Sequence, residues 1–391
     1  MSELKNIAPS GAMFDDPKLY TQPGGILAKR YGVVPFSVLD SRQGHWQLRK
    51  RDWIALGIKG EEGRIDTATG EGTQSNAFNT QELLKDLQAQ KFYEKNNARC
   101  AGGGLSESQE RLDEFRVRAA APSGSCLPTN YVHTGNATGT SVFDPVLCEC
   151  VYKWFAKPGG KILDPFAGES TKGIVAAFLG YQYMGVELRQ AQIDTNKAQA
   201  LLVQAKVYEK LNEEMPLPVW LQGDSGQLGA VLDEADPFSD GVDFIWTSPP
   251  YYDLEIYSKS EKDGSAFETY EKFMVWYKEI FQQAVARLKP NRFLAVKVGE
   301  IRDENGFYRN FVGDNIRIFT ELGLHYYNEI ILVTAVGSLP IRISFQFSKR
   351  RKVGKTHQNV LVFYKGESAD DIPNELGVLA KEDIENAEMG K

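Results

Sequence analysis

The sequence predicts an α/β protein built on a seven-stranded, mostly parallel sheet with an antiparallel final strand, plus a smaller N-terminal region. Three observations predict it. From Ser141 to Lys365, short apolar, β-branched or aromatic runs alternate with helical patterns, which is how parallel sheets are wired. Consecutive runs end in turns carrying acids, glycine, proline or serine. The last two runs have no helical pattern between them, only a basic segment, and are expected to pair as an antiparallel hairpin.

Taken in order, the chain divides at residues 1–66, 67–139, 140–366 and 367–391. The first part is aromatic and basic from about Gly24 to Arg64. The second is rich in Gly, Ser, Thr, Asn and Ala, and reads as a linker or insertion. Its one helical patch, "NTQELLKDLQAQKFYEKN", opens on Asn79 as N-cap. The third holds the expected strands: "KILDPF" (161–166), "YMGVEL" (183–188), "VWLQGD" (219–224), "VDFIWT" (242–247), "RFLAVKVG" (292–299), "HYYNEIILVTAV" (325–336) and "NVLVFYKG" (359–366). "STKGIVAAFLG" and "ETYEKFMVWYKEIFQQAVARLKP" are the clearest helices between them. The fourth part is an acidic tail.

Composition narrows the class. At 391 residues with 42% hydrophobic and 25% charged residues, the chain is long enough for a large core. No apolar run approaches the ~20 residues a membrane span requires. There is no basic stretch followed by an apolar one at the start, so no secretory signal is expected. The four cysteines, Cys100, Cys126, Cys148 and Cys150, lack paired spacing, so reduced thiols in a cytoplasm are expected and no metal site. His45, His133, His325 and His357 show no ligand spacing either. The net charge of −7 is unevenly spread. From Gly366 to Lys391 eight acids face two lysines, a net −6 that leaves the rest of the chain near neutral. Gly337 to Gln358 carries six cations and no acid, a strip compatible with a polyanion partner.

Four strand ends carry the chemistry. "KILDPFAGES" is a strand running into a turn with one glycine, Gly168, and Glu187 ends the next strand 23 residues after Asp164. An acid near that distance suits a ribose diol. Without GxGxxG a pyrophosphate is poorly supported, which favours a nucleoside cofactor lacking phosphate. The third strand ends at Asp224, placed to accept from an adenine amino group. The fourth runs into "TSPPYYD" (247–253). Two prolines cannot continue a ladder, so the strand stops at a rigid turn presenting Ser248 before them and tyrosines after. Ligands of open α/β sheets bind at the carboxyl ends of strands, and all four candidates sit there.

"LDPFAGES" followed by "VEL", "GD" and "TSPPY" resembles the amino-methyltransferases of DNA, of the kind carried by phages and prophages. These use S-adenosylmethionine to methylate N4 of cytosine or N6 of adenine. The likeness covers about Thr140 to Gly366 and implies a Rossmann-like methyltransferase sheet. It further implies that Phe143, Asp164, Pro165, Phe166, Gly168, Glu187 and Asp224 bind the cofactor, and that Ser248, Pro249, Pro250 and Tyr251 form the catalytic turn. Many members read DPFxGSG where this chain has Glu169 and Ser170. Ser248, in place of the commoner Asp before the double proline, resembles the N4-cytosine branch, with N6-adenine as the alternative. Another class of protein, a non-catalytic DNA binder that kept the fold, is the further alternative.

The partner so implied is double-stranded DNA. Only seventeen residues separate Asp224 from Val242, too few for a recognition domain. DNA contact is therefore expected from two basic stretches. One is "DSRQGHWQLRKRDW" (40–53), where Arg49 is the expected contact, set against the alternative of a helix with its tryptophans in the core. The other holds Lys349, Arg350, Arg351 and Lys352.

Overall fold

Period-two burial along the strands builds the sheet. On the strand Val242–Thr247, Phe244 and Trp246 enter one core and Ile245 the other, and Phe293/Ala295 against Leu294/Val296 repeat the pattern on the strand Leu288–Val298. Side chains that alternate across a pleat need a helical layer on each face, and both faces are covered. A computed structural model describes residues 25–58, 143–235, 238–252, 267–336 and 339–378. The insertion 67–139 with its helical patch, Cys100, Cys126, His133, Asp253 and the tail beyond 378 lie outside the described residues.

The chain splits into two units. The first, residues 1–72, 142–334 and 357–391, contains α1 (Gly25–Tyr31), β1 (Val38–Asp40), α2 (Gly44–Ala55), α3 (Pro145–Phe155), β2 (Lys161–Asp164), α4 (Thr171–Phe178), β3 (Gln182–Glu187), α5 (Gln190–Leu211), β4 (Val219–Gln222), α6 (Leu228–Ala235), β5 (Val242–Thr247), α7 (Tyr270–Arg287), β6 (Leu288–Val298), α8 (Phe311–Glu321), β7 (His325–Val333) and β8 (His357–Lys365). The strand order is β1-β7-β8-β6-β5-β2-β3-β4. β2, β3, β4, β5 and β6 run parallel to one another, and β8 runs antiparallel between β6 and β7. The α/β class, the mostly parallel sheet and the antiparallel final strand are therefore as read from the sequence.

Two features differ. The sheet has eight strands, because Val38–Asp40 adds to β7 in parallel and replaces β7 at the sheet edge. A three-residue strand inside "VVPFSVLD" is too short for periodicity to announce. The N-terminal region is thus built into the same sheet, and α2 lies on α3. Trp46 and Trp53 are fully buried. The Arg49 guanidinium pairs with the Glu149 carboxylate, to which Lys153 adds its ammonium at 2.8 Å and the Trp53 indole its N–H at 3.1 Å. Lys50 and the Trp46 indole both reach Asp144 Oδ2, at 3.1 and 3.3 Å, while Asp144 Oδ1 caps α3. Burial works to raise the Glu149 carboxyl, but the Arg49 and Lys153 charges outweigh it and hold it well below the usual range.

The second unit comprises residues 73–141 and 335–356. Its described part is a helix, α9 (Leu339–Arg350), where the sequence suggested no helix between the last two strands. "IRISFQF" alternates apolar and polar residues as a strand would, and that period misleads. The strands on either side pair antiparallel nonetheless. The helix ends at Arg351, whose amide donates to Phe347 O and whose φ is +53°.

Candidate active site

β2 sits between β3 and β5, so the chain leaves it to opposite sides and opens a crevice at its carboxyl end. That is the topological switch point of the sheet. The turns after β2 and β5 are neighbours there.

The turn after β2 is held by buried charge. Asp164 is fully buried. Its Oδ2 accepts from the Tyr183 hydroxyl at 2.8 Å and pairs with Lys172 Nζ at 2.7 Å, and its Oδ1 accepts from the Phe166 amide. Lys172 also donates to Phe166 O at 3.0 Å. These bonds fix Pro165 and Phe166, and Phe166 packs its ring against Trp276 and Phe281. Gly168 has φ +57°, a value side chains rarely adopt, and a Cβ there would meet nothing within 4 Å. Its backbone therefore faces open space. Glu169 folds away from that space, its Oε2 accepting from the Thr171 amide and hydroxyl at 2.8 and 2.6 Å.

Glu187 ends β3 and closes on the same turn. Gly168 N–H donates to its Oε2 at 3.1 Å and Arg189 N–H to its Oε1 at 3.0 Å. Arg189 Nε also pairs with Oε1 at 3.4 Å, so it is Oε2 that keeps a further lone pair. Burial raises this carboxyl, with the Arg189 and Gly168 contacts pulling the other way. Asp224, after β4, caps a short 3-10 turn through Oδ1, which accepts from Gly226 N at 2.8 Å. Ser225 donates to Pro165 O at 2.6 Å, tying the β4 end to the β2 end. Phe143 lies just before α3. Its ring stands edge-on to Trp246, with Lys297 Nζ 4.2 Å and Lys172 Nζ 5.3 Å from its centroid.

After β5, Pro249 and Pro250 are buried and Ser248 and Tyr251 half-buried. Ser248 Oγ donates to Lys297 O at 3.3 Å, and the Tyr251 hydroxyl reaches the same carbonyl at 3.5 Å. Tyr251 also meets the Phe311 ring edge-on. Because the serine hydrogen is directed at Lys297 O, its lone pairs are left to accept. Tyr252 takes φ +47° and stacks among Tyr270 and Phe273, which turns the chain sharply after the double proline.

The fold thus gathers the predicted residues of the four strand ends, with Phe143, at the carboxyl edge of one unit. It does not bring Arg49 there. Arg49 is only 8% exposed and its guanidinium is bound to Glu149, so the expected DNA contact is corrected to a structural clamp. Lys349, Arg350, Arg351 and Lys352 fall in the other unit. Sequence reading missed Lys297 and Lys172. A lysine inside the apolar run "FLAVKVG" was the available signal, since buried lysines are rare without a partner or task.

The family model for DNA methylases matches residues 242–388, from the first residue of β5 through the turn that follows it to the tail. No curated protein matches. Solved structures similar to the chain include TrmN from Thermus thermophilus, 17% identical over 57% of this chain and 49% of that one, TM-score 0.35; the chain thus spans about half of TrmN. A TehB-like SAM-dependent methyltransferase from Corynebacterium glutamicum is 15% identical over 67% of this chain and 100% of that one, TM-score 0.33. A SAM-dependent methyltransferase from Methanosarcina mazei is 13% identical over 55% and 96%, TM-score 0.35. Residues 242–388 are thus similar to the DNA methylase family.

Proposed function

We propose that the chain methylates an exocyclic amine of a base in double-stranded DNA, N4 of cytosine in a specific sequence, using S-adenosylmethionine. The observation that carries this reading is the polarity of the turn after β5. Ser248 gives its hydrogen to Lys297 O and so faces the crevice as an acceptor, beside the rigidly held Pro249 carbonyl. An exocyclic amine is a weak nucleophile because its lone pair is delocalised into the ring. Two acceptors that take both of its N–H hydrogens favour a pyramidal nitrogen and free that pair. The double proline fixes the direction of one acceptor in advance, an electrostatic preorganisation. Tyr251 offers a face to a base rotated out of the helix, offsetting the few kcal/mol of lost stacking. N6 of adenine would present the same two hydrogens and is the second reading.

The cofactor site supports the same reading. Gly168 leaves open space against its backbone, Glu187 Oε2 keeps a lone pair for a ribose diol, and Asp224 carries its carboxylate at the end of β4, where an adenine amino group would be read. Phe143 closes the end nearest β6. The bound cofactor would supply an electrophilic methyl group; the chain's own residues hold it and orient the amine.

Methylation-aware sequencing of DNA from a host making this protein tests the proposal. A modified amine in one sequence context is expected, absent when the host makes Ser248→Ala instead, because that hydrogen bond matters chiefly in the transition state. Unmodified DNA, or an undiminished mark with Ser248→Ala, refutes it.

A further inference from the structure

A small, stiff hairpin rises between β6 and α8, at the same carboxyl edge as the catalytic turn. Arg302 and Tyr308 form an antiparallel bridge. Arg309 N–H donates to Ile301 O at 3.0 Å and Asp303 N–H to Phe307 O at 2.9 Å. The bend is closed by Gly306 N–H on Asp303 O at 2.9 Å, Phe307 N–H on Asp303 Oδ1 at 2.8 Å and Arg302 Nη1 on Gly306 O at 2.7 Å. Gly306 sits at φ +89°. At the foot, Ile301 is buried and Glu300 accepts from the Phe311 and Val312 amides at 3.1 and 3.2 Å. The Arg309 guanidinium lies 5.2 Å from the Tyr252 ring and 5.4 Å from the Tyr270 ring. The hairpin is thereby coupled to the residue that follows the catalytic S-P-P-Y.

On this frame Phe307 is 72% exposed, the most exposed large apolar side chain among the described residues. Single exposed hydrophobics are common, but they seldom stand on a turn with every strand-to-strand bond made. Beside it, Tyr308 is 47% exposed and carries the Arg302 guanidinium 3.9 Å from its ring centroid. The tip also bears Asp303, spent on the turn, and Glu304, paired with Arg309 at 3.4 Å. Two carboxylates make the tip a poor phosphate contact. They do not hinder a contact with base stacks.

We propose, resting on the DNA-methylation reading above, that Phe307 is an apolar wedge. It enters the base stack of the duplex at the place the target nucleotide vacates, with Arg302 and Tyr308 flanking it in the groove. Apolar side chains inserted between base steps offset the unstacking they exploit, and base rotation incurs a few kcal/mol that a mismatch lowers. Rigidity is what the role demands, since a floppy loop would lose on ordering what stacking returns.

The test compares wild type and Phe307→Ala, by fluorescence anisotropy, on a short duplex carrying the site mapped by sequencing and on the same duplex mismatched at the target base. The variant should bind the matched duplex about tenfold more weakly and the mismatched one within about threefold of wild type, because a mismatch removes much of the unstacking penalty. Its salt dependence and melting temperature should be unchanged. Equal loss on both duplexes, or none on either, overturns the wedge while leaving the methylation reading intact. An unmodified genome removes that reading, and the wedge with it.

Discussion

Two stretches of this chain look alike on paper: residues 40–53 and residues 339–352 each interleave cations with aromatic rings. The fold uses them in opposite ways. In the first, α2 turns its rings inward, and Arg49 and Lys50 follow them to Glu149 and Asp144. In the second, Phe345 and Phe347 remain 54% and 44% exposed, with Lys349 Nζ 4.3 Å from the Phe345 ring and Arg351 5.2 Å from that of Phe347. Among the described residues no carboxylate pairs with Lys349, Arg350, Arg351 or Lys352. A cation facing a buried acid is structural. A cation stacked on an exposed ring keeps its charge for a partner.

The largest effect that could break this contrast is at Arg49. Removing one member of a buried pair strands the other, and Arg49→Gln should lower stability by about 3–5 kcal/mol in denaturant unfolding. DNA affinity of the folded fraction should not change; a stable variant with weakened DNA binding would invert the assignment. The pH dependence sharpens it. A carboxyl held below its unfolded value of about 4.3 stabilises the fold above that pH and ceases to as pH falls through the folded value. The stability gap between wild type and Glu149→Gln should therefore be widest at neutral pH and shrink below about pH 4.

Next comes the exposed strip. Neutralising Arg350 and Arg351 together should weaken binding to any duplex and flatten the slope of log affinity against log salt by up to about two, at about 0.9 per phosphate contact. Stability should move by less than about 0.5 kcal/mol. If affinity and slope both stay put, α9 is not a DNA contact.

The smallest effect tests the acidic tail, which could have masked that strip. Where it is described, the tail forms a short 3-10 turn and α10 (Ile372–Leu376), and Glu375 pairs with Lys157 at 3.2 Å and Arg292 at 2.8 Å. Those contacts, with hydrogen bonding from Lys157 first, lower its pKa. Glu375→Gln should lower stability by under about 1 kcal/mol, as for a partly exposed pair, and leave DNA affinity alone. Tighter DNA binding by this variant would show the tail shielding the strip after all.

By itself the sequence determined where seven strands fall along the chain, the antiparallel last one and the placing of Asp164, Glu187, Asp224 and Ser248 at strand ends. Those readings depend on local pattern: period-two burial, β-branched runs, and prolines that must stop a ladder. Tertiary structure alone decided the fate of Arg49, since its partner lies 100 residues away and charge pairing leaves no local trace. It also decided that "IRISFQF" is helical despite its strand-like period, and that three residues near the N-terminus complete the sheet. The role of Lys297 is of the same kind. Only the register of β6 against β5 brings its carbonyl to Ser248 and thereby sets which way the serine hydroxyl points.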